Sequence, residues 1–395
     1  MGSMDPDRVA TRVERLLSRL ADLSGKAASE PRLVRAPGRV NLIGEHTDYN
    51  LGWVLPAAIS VETWVASQPR VDRRVRLLSL QEQAAYELDL DAPGPARGEW
   101  GDYVAGVATT LAADGVALRG VDAVVDSDIP MGSGLSSSAA LELAGAWTLS
   151  EGLPPASDAM RVAVLAQRAE NEYVGVKCGL MDQFASANGR AGAALLLDCR
   201  SLEWRPVPLP SELTLVAIDT RSPRRLAASE YNARRKQCER GVALLARHHP
   251  NVRSLRDVTP QMLDEAARLL DEETMRRCRH VVEENGRVLQ AVAALEAGDL
   301  DDVGRLFAAS HRSLAELYEV SSPELDALVE IAAAVPGVVG ARMTGAGFGG
   351  CTVNLVRHSA VDALRASVTE HYPKRAGRAA GFYPVSAVDG AGVVG

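Results

Sequence analysis

Pro130-Met131-Gly132-Ser133-Gly134-Leu135-Ser136-Ser137-Ser138-Ala139-Ala140 follows the apolar stretch Ala123-Val124-Val125 and leads into Leu141 to Leu143. A strand enters and a helix leaves. The glycines between them let the chain turn tightly and aim backbone N–H groups at one point. The helix opening at Ser136 to Ser138 adds unpaired N–H donors and partial positive charge. Serine hydroxyls there can cap the helix or hold a phosphate or Mg2+. The segment reads as a phosphate cradle or as a flexible loop with an ordinary serine cap. It is no Walker A loop, because no Gly-Lys-Ser/Thr occurs. It is no dinucleotide fingerprint either, because Ser137 stands at the third glycine position.

Upstream, Arg39-Val40-Asn41-Leu42-Ile43 is a short apolar strand followed at once by Gly44-Glu45-His46-Thr47-Asp48-Tyr49-Asn50. So many donors and acceptors after a buried strand suit a polyhydroxylated ligand, since each sugar hydroxyl both donates and accepts and carboxylates are its strongest acceptors. A polar turn would also use Asp48 or Asn50. Downstream, Glu170-Asn171-Glu172-Tyr173 closes a helix. Cys178-Gly179-Leu180-Met181-Asp182-Gln183-Phe184 then places a carboxylate in an apolar stretch, as a helix cap or as a functional acid. Met343-Thr344-Gly345-Ala346-Gly347-Phe348-Gly349-Gly350-Cys351 carries more glycine than a hairpin needs, which favours close approach of backbone to a ligand or another lobe.

Around these segments the periodicity predicts a helix over 6–23, strands between Arg32 and Leu80 (Trp53 to Val65 among them), and helices over 101–114 and 158–174. The prolines from Trp204 to Pro210 mark a boundary between lobes. Beyond it come a strand at Leu213 to Ile218, mostly helix to residue 335, and two strands flanking the second glycine run. A helix over 359–371 and a strand at Tyr383 to Val385 close the chain. Strands and helices follow each other irregularly, which points to two α+β lobes and not to a doubly wound sheet.

Length and composition set limits. At typical domain sizes, 395 residues make roughly two to three domains or one large two-lobed unit. A net charge of −8 argues against nucleic acid as the main partner. Lysine occurs only at Lys26, Lys177, Lys236 and Lys374. Five widely spaced cysteines without a CxxC pair favour a reducing cytoplasm over a disulfide framework or zinc site. No apolar run reaches the ~18 residues of a membrane span. Met1-Gly2-Ser3 ahead of Met4 reads as a cloning leader, with no signal peptide after it.

With these residues assembled, the chain resembles galactokinases of the GHMP kinase superfamily, from about Arg35 to the C-terminus. Gly38 to Asn50 resembles the galactokinase signature, Gly134 to Ser138 the superfamily phosphate loop, and Thr344 to Cys351 its third motif. Cys178 to Gln183 and Ser229-Glu230-Tyr231 match galactokinase segments in order. Ser133 departs from the family's usual Gly or Ala. The resemblance implies an α+β, two-lobed GHMP kinase fold, with an N-terminal lobe over 1–205, a C-terminal lobe over 206–395 and the active site between them. It implies transfer of the γ-phosphate of ATP to the anomeric hydroxyl of galactose. A galactose- and ATP-binding sensor without turnover, or a kinase of N-acetylgalactosamine or arabinose, are the alternatives. The implied roles are Asp182 and Arg39 in catalysis and Glu45, His46, Asp48, Gly179 and Tyr231 on the sugar. The loop Gly132, Ser133, Gly134, Leu135, Ser136, Ser137 and Ser138 would cradle the nucleotide phosphates, Trp100 and Tyr103 would flank the adenine, and Ser137 with Glu170 would hold Mg2+.

Overall fold

Arg32–Asn41 has apolar side chains at Val34, Ala36 and Val40, and it forms a strand bulged between Pro37 and Gly38. It is the second strand of a six-stranded sheet in the order Gly392–Val394, Arg32–Asn41, Pro56–Pro69, Val121–Ser127, Arg74–Ser79, Ala84–Asp89. The Arg74–Ser79/Val121–Ser127 pair is parallel and the other pairs are antiparallel. The computed structural model describes residues 6–25, 31–150, 159–223 and 227–394; Met1 to Met4 and Lys26 lie outside them.

The amphipathic helix Pro6–Ser24 covers one face of this sheet, with Leu16 and Leu20 against Trp64, Ala66 and Val124. Helices Asp102–Ala113 and Ser137–Leu149 supply Val104, Leu111, Leu143 and Trp147 to the core on the other face. The second lobe is built on a four-stranded sheet, ordered Val338–Met343, Cys351–Arg357, Leu213–Asp219, Gly381–Val385. Helices Pro323–Ala333 and Val361–Ala376 pack on it through Leu328, Ile331, Leu364 and Tyr372. Its opposite face, through Leu215, Val353 and Leu355, continues the core of the first lobe. The architecture is the two-lobed α+β arrangement expected.

Three local differences from the expected elements have physical causes. The stretch from Trp53 to Val65 divides at Leu55: Trp53–Val54 joins a three-stranded sheet with Ala193–Asp198 and Trp204–Pro208, while Pro56–Pro69 enters the large sheet. The proline-rich segment thus forms an edge strand, where missing N–H donors are tolerated. The helix read over 158–174 is regular over Ala159–Ala169 and widens to a π turn at Glu170–Val174; residue 158 lies outside the described residues. Such turns recur at functional sites, and this one sets Glu170 facing the phosphate loop.

Candidate active site

The loop after Val121–Ser127 turns through Gly132 (φ 68°), Gly134 (φ 81°) and Ser136 (φ 64°). The left-handed backbone at Ser136 costs about 1–3 kcal/mol for a residue with a Cβ. Ser136 does not cap the helix; its Oγ donates to Asp182 Oδ2 at 2.5 Å. Asp182 lies in the first turn of the helix Met181–Asn188, where the helix dipole favours a carboxylate. Arg39 grips it at two points, Nε to Oδ1 at 2.8 Å and Nη2 to Oδ2 at 2.7 Å. The same guanidinium donates through Nη1 to Gly134 O at 2.6 Å, and the Arg39 N–H donates to Leu135 O at 3.1 Å. Gly38 lets the strand come this close, since a Cβ there would sit 2.6 Å from Leu135 O. Loop, acid and arginine are thereby one rigid unit.

Above this unit lies a cavity of about 320 Å3 between the lobes. Arg39, Glu45, His46, Asp48, Gly179, Asp182 and Tyr231 all line it, as do Gly132, Gly134, Ser136, Ser137, Ser138 and Glu170. Asp48 is pressed against Gly179, whose Cβ, if present, would fall 1.8 Å from Asp48 Oδ2. Burial first, and then the nearby Asp182, push the Asp48 carboxyl up to about 6. Glu45 is buried in an ion pair with Arg342 and also accepts from Gly345 N at 3.1 Å and Thr344 Oγ1 at 3.3 Å. Burial pushes its carboxyl up while Arg342 opposes this. Glu45 therefore ties the second lobe's glycine turn to the first lobe as well as lining the cavity. That turn brings Gly345 and Ala346 to the cavity wall, the close approach its glycine content suggested; Asn232 and Cys178 also line it.

A second cavity of about 210 Å3 adjoins the first, with Ser137 and Ser138 lining both. Trp100 and Tyr103 lie on its wall with Met131 and Ile129. Asp102 fixes the turn that carries Trp100 by accepting from the N–H groups of Arg97, Gly98 and Glu99 at 2.8, 2.6 and 3.0 Å. Ser133 and Leu135 line neither cavity. The Ser133 hydroxyl turns back to Pro130 O at 2.7 Å and Leu135 is buried in the core, so their side chains shape the loop and only their backbone is available to a ligand. Among the described residues no lysine lines either cavity.

Beneath the loop, Gln183 Nε2 bridges two buried carboxylates, Glu170 Oε2 at 2.6 Å and Glu142 Oε2 at 2.9 Å. Burial, then Asp182, raises the Glu170 carboxyl to about 7; burial, then Glu170, raises Glu142 well above the carboxylate range. Glu142 Oε1 has no hydrogen-bond partner among the described residues. A carboxyl that gives up its proton to a cation, beside a serine loop, fits a hard divalent metal held partly by nucleotide phosphates. Among the described residues no group of three or more His, Cys, Asp or Glu is placed to hold a metal by itself. A wider surface groove of about 1050 Å3 runs along Pro6–Ser24, but its polar groups are matched to each other, as in Arg12–Asp126 (2.8 Å) and Arg8–Asp128 (3.2 Å).

A strained serine loop at a helix start, facing a glycine turn from a second lobe, defines the chain as a GHMP kinase. Residues 102–190 match the GHMP kinases N terminal domain and residues 291–374 the GHMP kinases C terminal model. The crystal structure of the Methanococcus jannaschii mevalonate kinase shares the fold at a TM-score of 0.65 and 17% identity, over 91% of this chain and 99% of that one. Within that class, residues 23–69 match the galactokinase galactose-binding signature. A galactokinase of Roseiflexus sp. (strain RS-1) is 47% identical over 92% of this chain and 93% of its own length; one of Chloroflexus aurantiacus is 48% identical over the same shares. The crystal structure of Lactococcus lactis galactokinase complexed with galactose superposes with a TM-score of 0.91 at 36% identity, covering 96% of this chain and 99% of that one. The chain belongs to the galactokinase family.

Proposed function

We infer that the protein transfers the γ-phosphate of ATP to the anomeric hydroxyl of galactose, giving galactose 1-phosphate and ADP. The observation that carries the reading is the two-point Arg39–Asp182 pair, anchored to the phosphate loop through Gly134 O and facing a cavity lined by Asp48, His46 and Tyr231. Galactose occupies the larger cavity with its anomeric oxygen at Asp182. The adenine takes the smaller one, beside Trp100 and Tyr103, and the phosphates cross the loop at Ser137 and Ser138. The anomeric oxygen attacks the γ-phosphorus, its proton passes to Asp182 and the bond to ADP breaks. Arg39 keeps Asp182 aimed and balances charge on the moving phosphoryl group. Transfer of this kind is mostly positioning and charge stabilisation.

Ser137 and Glu170 would hold Mg2+, which neutralises phosphate charge when bound; with no lysine at the loop, Arg39 and backbone N–H groups supply the protein's share. Asp48, with Tyr231 beside it, is placed to read the 4-hydroxyl that separates galactose from glucose. Glu45 and His46 bind other hydroxyls of the ring. The lobe boundary proposed at residues 205 and 206 falls inside the strand Trp204–Pro208, which pairs with Ala193–Asp198. A cytoplasmic location accords with five cysteines outside any disulfide, four of them buried. Among the described residues no helix is long and apolar enough to cross a membrane.

The test is ADP release by the purified protein with a sugar panel. Turnover should need galactose, exceed that on glucose by orders of magnitude, up to about 10⁴–10⁵ where buried polar groups are left unpaired, and cease on removal of divalent metal. ATP and galactose binding without turnover would overturn the kinase reading. Equal efficiency on glucose, N-acetylgalactosamine or arabinose would overturn the substrate assignment.

A further inference from the structure

His46 enters the sugar cavity from a left-handed backbone (φ 62°), with its ring packed on Tyr318 at 4.7 Å and Tyr231 at 5.5 Å between centroids. Its Nδ1 lies 2.9 Å from Tyr49 Oη, Tyr49 Oη lies 2.8 Å from Tyr318 Oη, and Tyr318 Oη lies 3.1 Å from Cys238 Sγ. This file of polar atoms runs from the cavity into the helix Ala227–Leu245 of the second lobe, with His46, Tyr318 and Cys238 buried and Tyr49 half-buried. The Nε2 of His46 is buried and has no hydrogen-bond partner among the described residues. The Ala346 backbone, also on the cavity wall, favours a protonated ring.

We infer that Tyr49 and Tyr318 are positioning residues that hold His46 in the tautomer protonated on Nε2, so that the ring offers an N–H donor to a sugar hydroxyl oxygen. The inference rests on His46 contacting the sugar, as proposed above. All the groups are neutral. Burial drives His46 well below its usual range, Tyr49 and Tyr318 well above theirs and the Cys238 thiol up to about 11. Each of the three links therefore carries one hydrogen, and with all of them running one way along the file two orders are possible. One ends on sulfur, a weak acceptor that already receives a hydrogen bond from the Asn50 amide. The other lets Cys238 donate to Tyr318, Tyr318 to Tyr49 and Tyr49 to the imidazole Nδ1, the best acceptor in the file. The second order leaves the imidazole proton on Nε2; the hydrogen positions follow from this network.

The tautomer can be read directly from the nitrogen NMR signals of the full-length protein carrying 15N-imidazole histidine, without sugar, His46 being assigned by its loss in His46→Gln. The expected spectrum has a protonated Nε2 and a bare, hydrogen-bonded Nδ1. Tyr318→Phe keeps the ring and cuts the file. It should yield a mixture of tautomers and raise KM for galactose about twofold to tenfold, the worth of one hydrogen bond, with kcat changed less. A wild-type signal with the proton on Nδ1 overturns the inference, even if the variants fold poorly. So does an unchanged tautomer and KM in both Tyr49→Phe and Tyr318→Phe. Galactose that leaves the His46 signals unmoved overturns the sugar-site reading beneath it, separately from the tautomer.

Discussion

Arg39 and Asp182, 143 residues apart, meet as a parallel pair with N–O distances of 2.8 and 2.7 Å, and the arginine's third nitrogen donates to Gly134 of the phosphate loop. Planarity is what allows this. A lysine at position 39 offers a point charge that cannot bond both carboxylate oxygens and the loop at once. Arg39→Lys should lower kcat strongly while the protein stays folded. If pair and loop act as one unit, the Arg39→Lys/Asp182→Asn double variant should be little worse than the worse single variant. Additive losses in a double-mutant cycle on turnover would separate the two residues.

Asp48 is kept in a site that resists its charge. Its carboxyl stands at about 6 against an ordinary value near 3.8, through burial and then Asp182. A raised carboxyl favours folding at low pH and loses that advantage as pH rises through 6. At pH 7.5 the ionised group thus costs on the order of 2–3 kcal/mol. Asp48→Asn should melt higher than the wild type at pH 7.5, with the gain shrinking as pH falls from 6 towards 4, while galactose affinity drops. Thermal melts at both pH values check this. A constant gain, or none at pH 7.5, would contradict the burial argument.

Gly179 admits no side chain where it faces Asp48, since a Cβ would lie 1.8 Å from Oδ2 and 2.1 Å from Cγ. Gly179→Ala must displace the carboxylate. The loss of one charged hydrogen bond to the sugar, about 1.5–3 kcal/mol, corresponds to roughly 10–100-fold weaker galactose binding. Isothermal titration with galactose and with an ATP analogue should find only the first affected. Equal losses for both would place the damage in the fold instead.

Glu170→Gln removes the charge proposed to face the metal and keeps the contact to Gln183 feasible. The Mg2+ concentration giving half-maximal activity should rise, and galactose affinity should change little. Direct titration with Mn2+ in the presence of ATP provides a second readout. Unaltered metal dependence with weaker sugar binding would reassign Glu170 to the architecture of the sugar site.

Much of this site is legible in the sequence because polar groups interrupt apolar patterns there. Asp182 stands between Met181 and Phe184, and Glu45 to Asn50 follow a buried strand. Glu142 gives no such signal: a glutamate inside a helix reads as an exposed face, yet the side chain is fully buried, bonded to Gln183. Asn232 reaches the cavity through tertiary packing alone. The strands Ala84–Asp89 and Gly392–Val394 escaped the sequence reading because they are sheet edges, short and part-exposed, where pairing and not side-chain pattern decides.

Proton transfer from the anomeric hydroxyl to Asp182 is tested by single-turnover phosphoryl transfer in Asp182→Asn, with folding checked by thermal melts and galactose affinity by titration. The asparagine keeps the shape and one acceptor but loses charge and basicity. Galactose affinity should fall modestly and the transfer rate at least about 10²–10⁴-fold. A folded Asp182→Asn protein that binds galactose and transfers phosphate at near wild-type rate would contradict it.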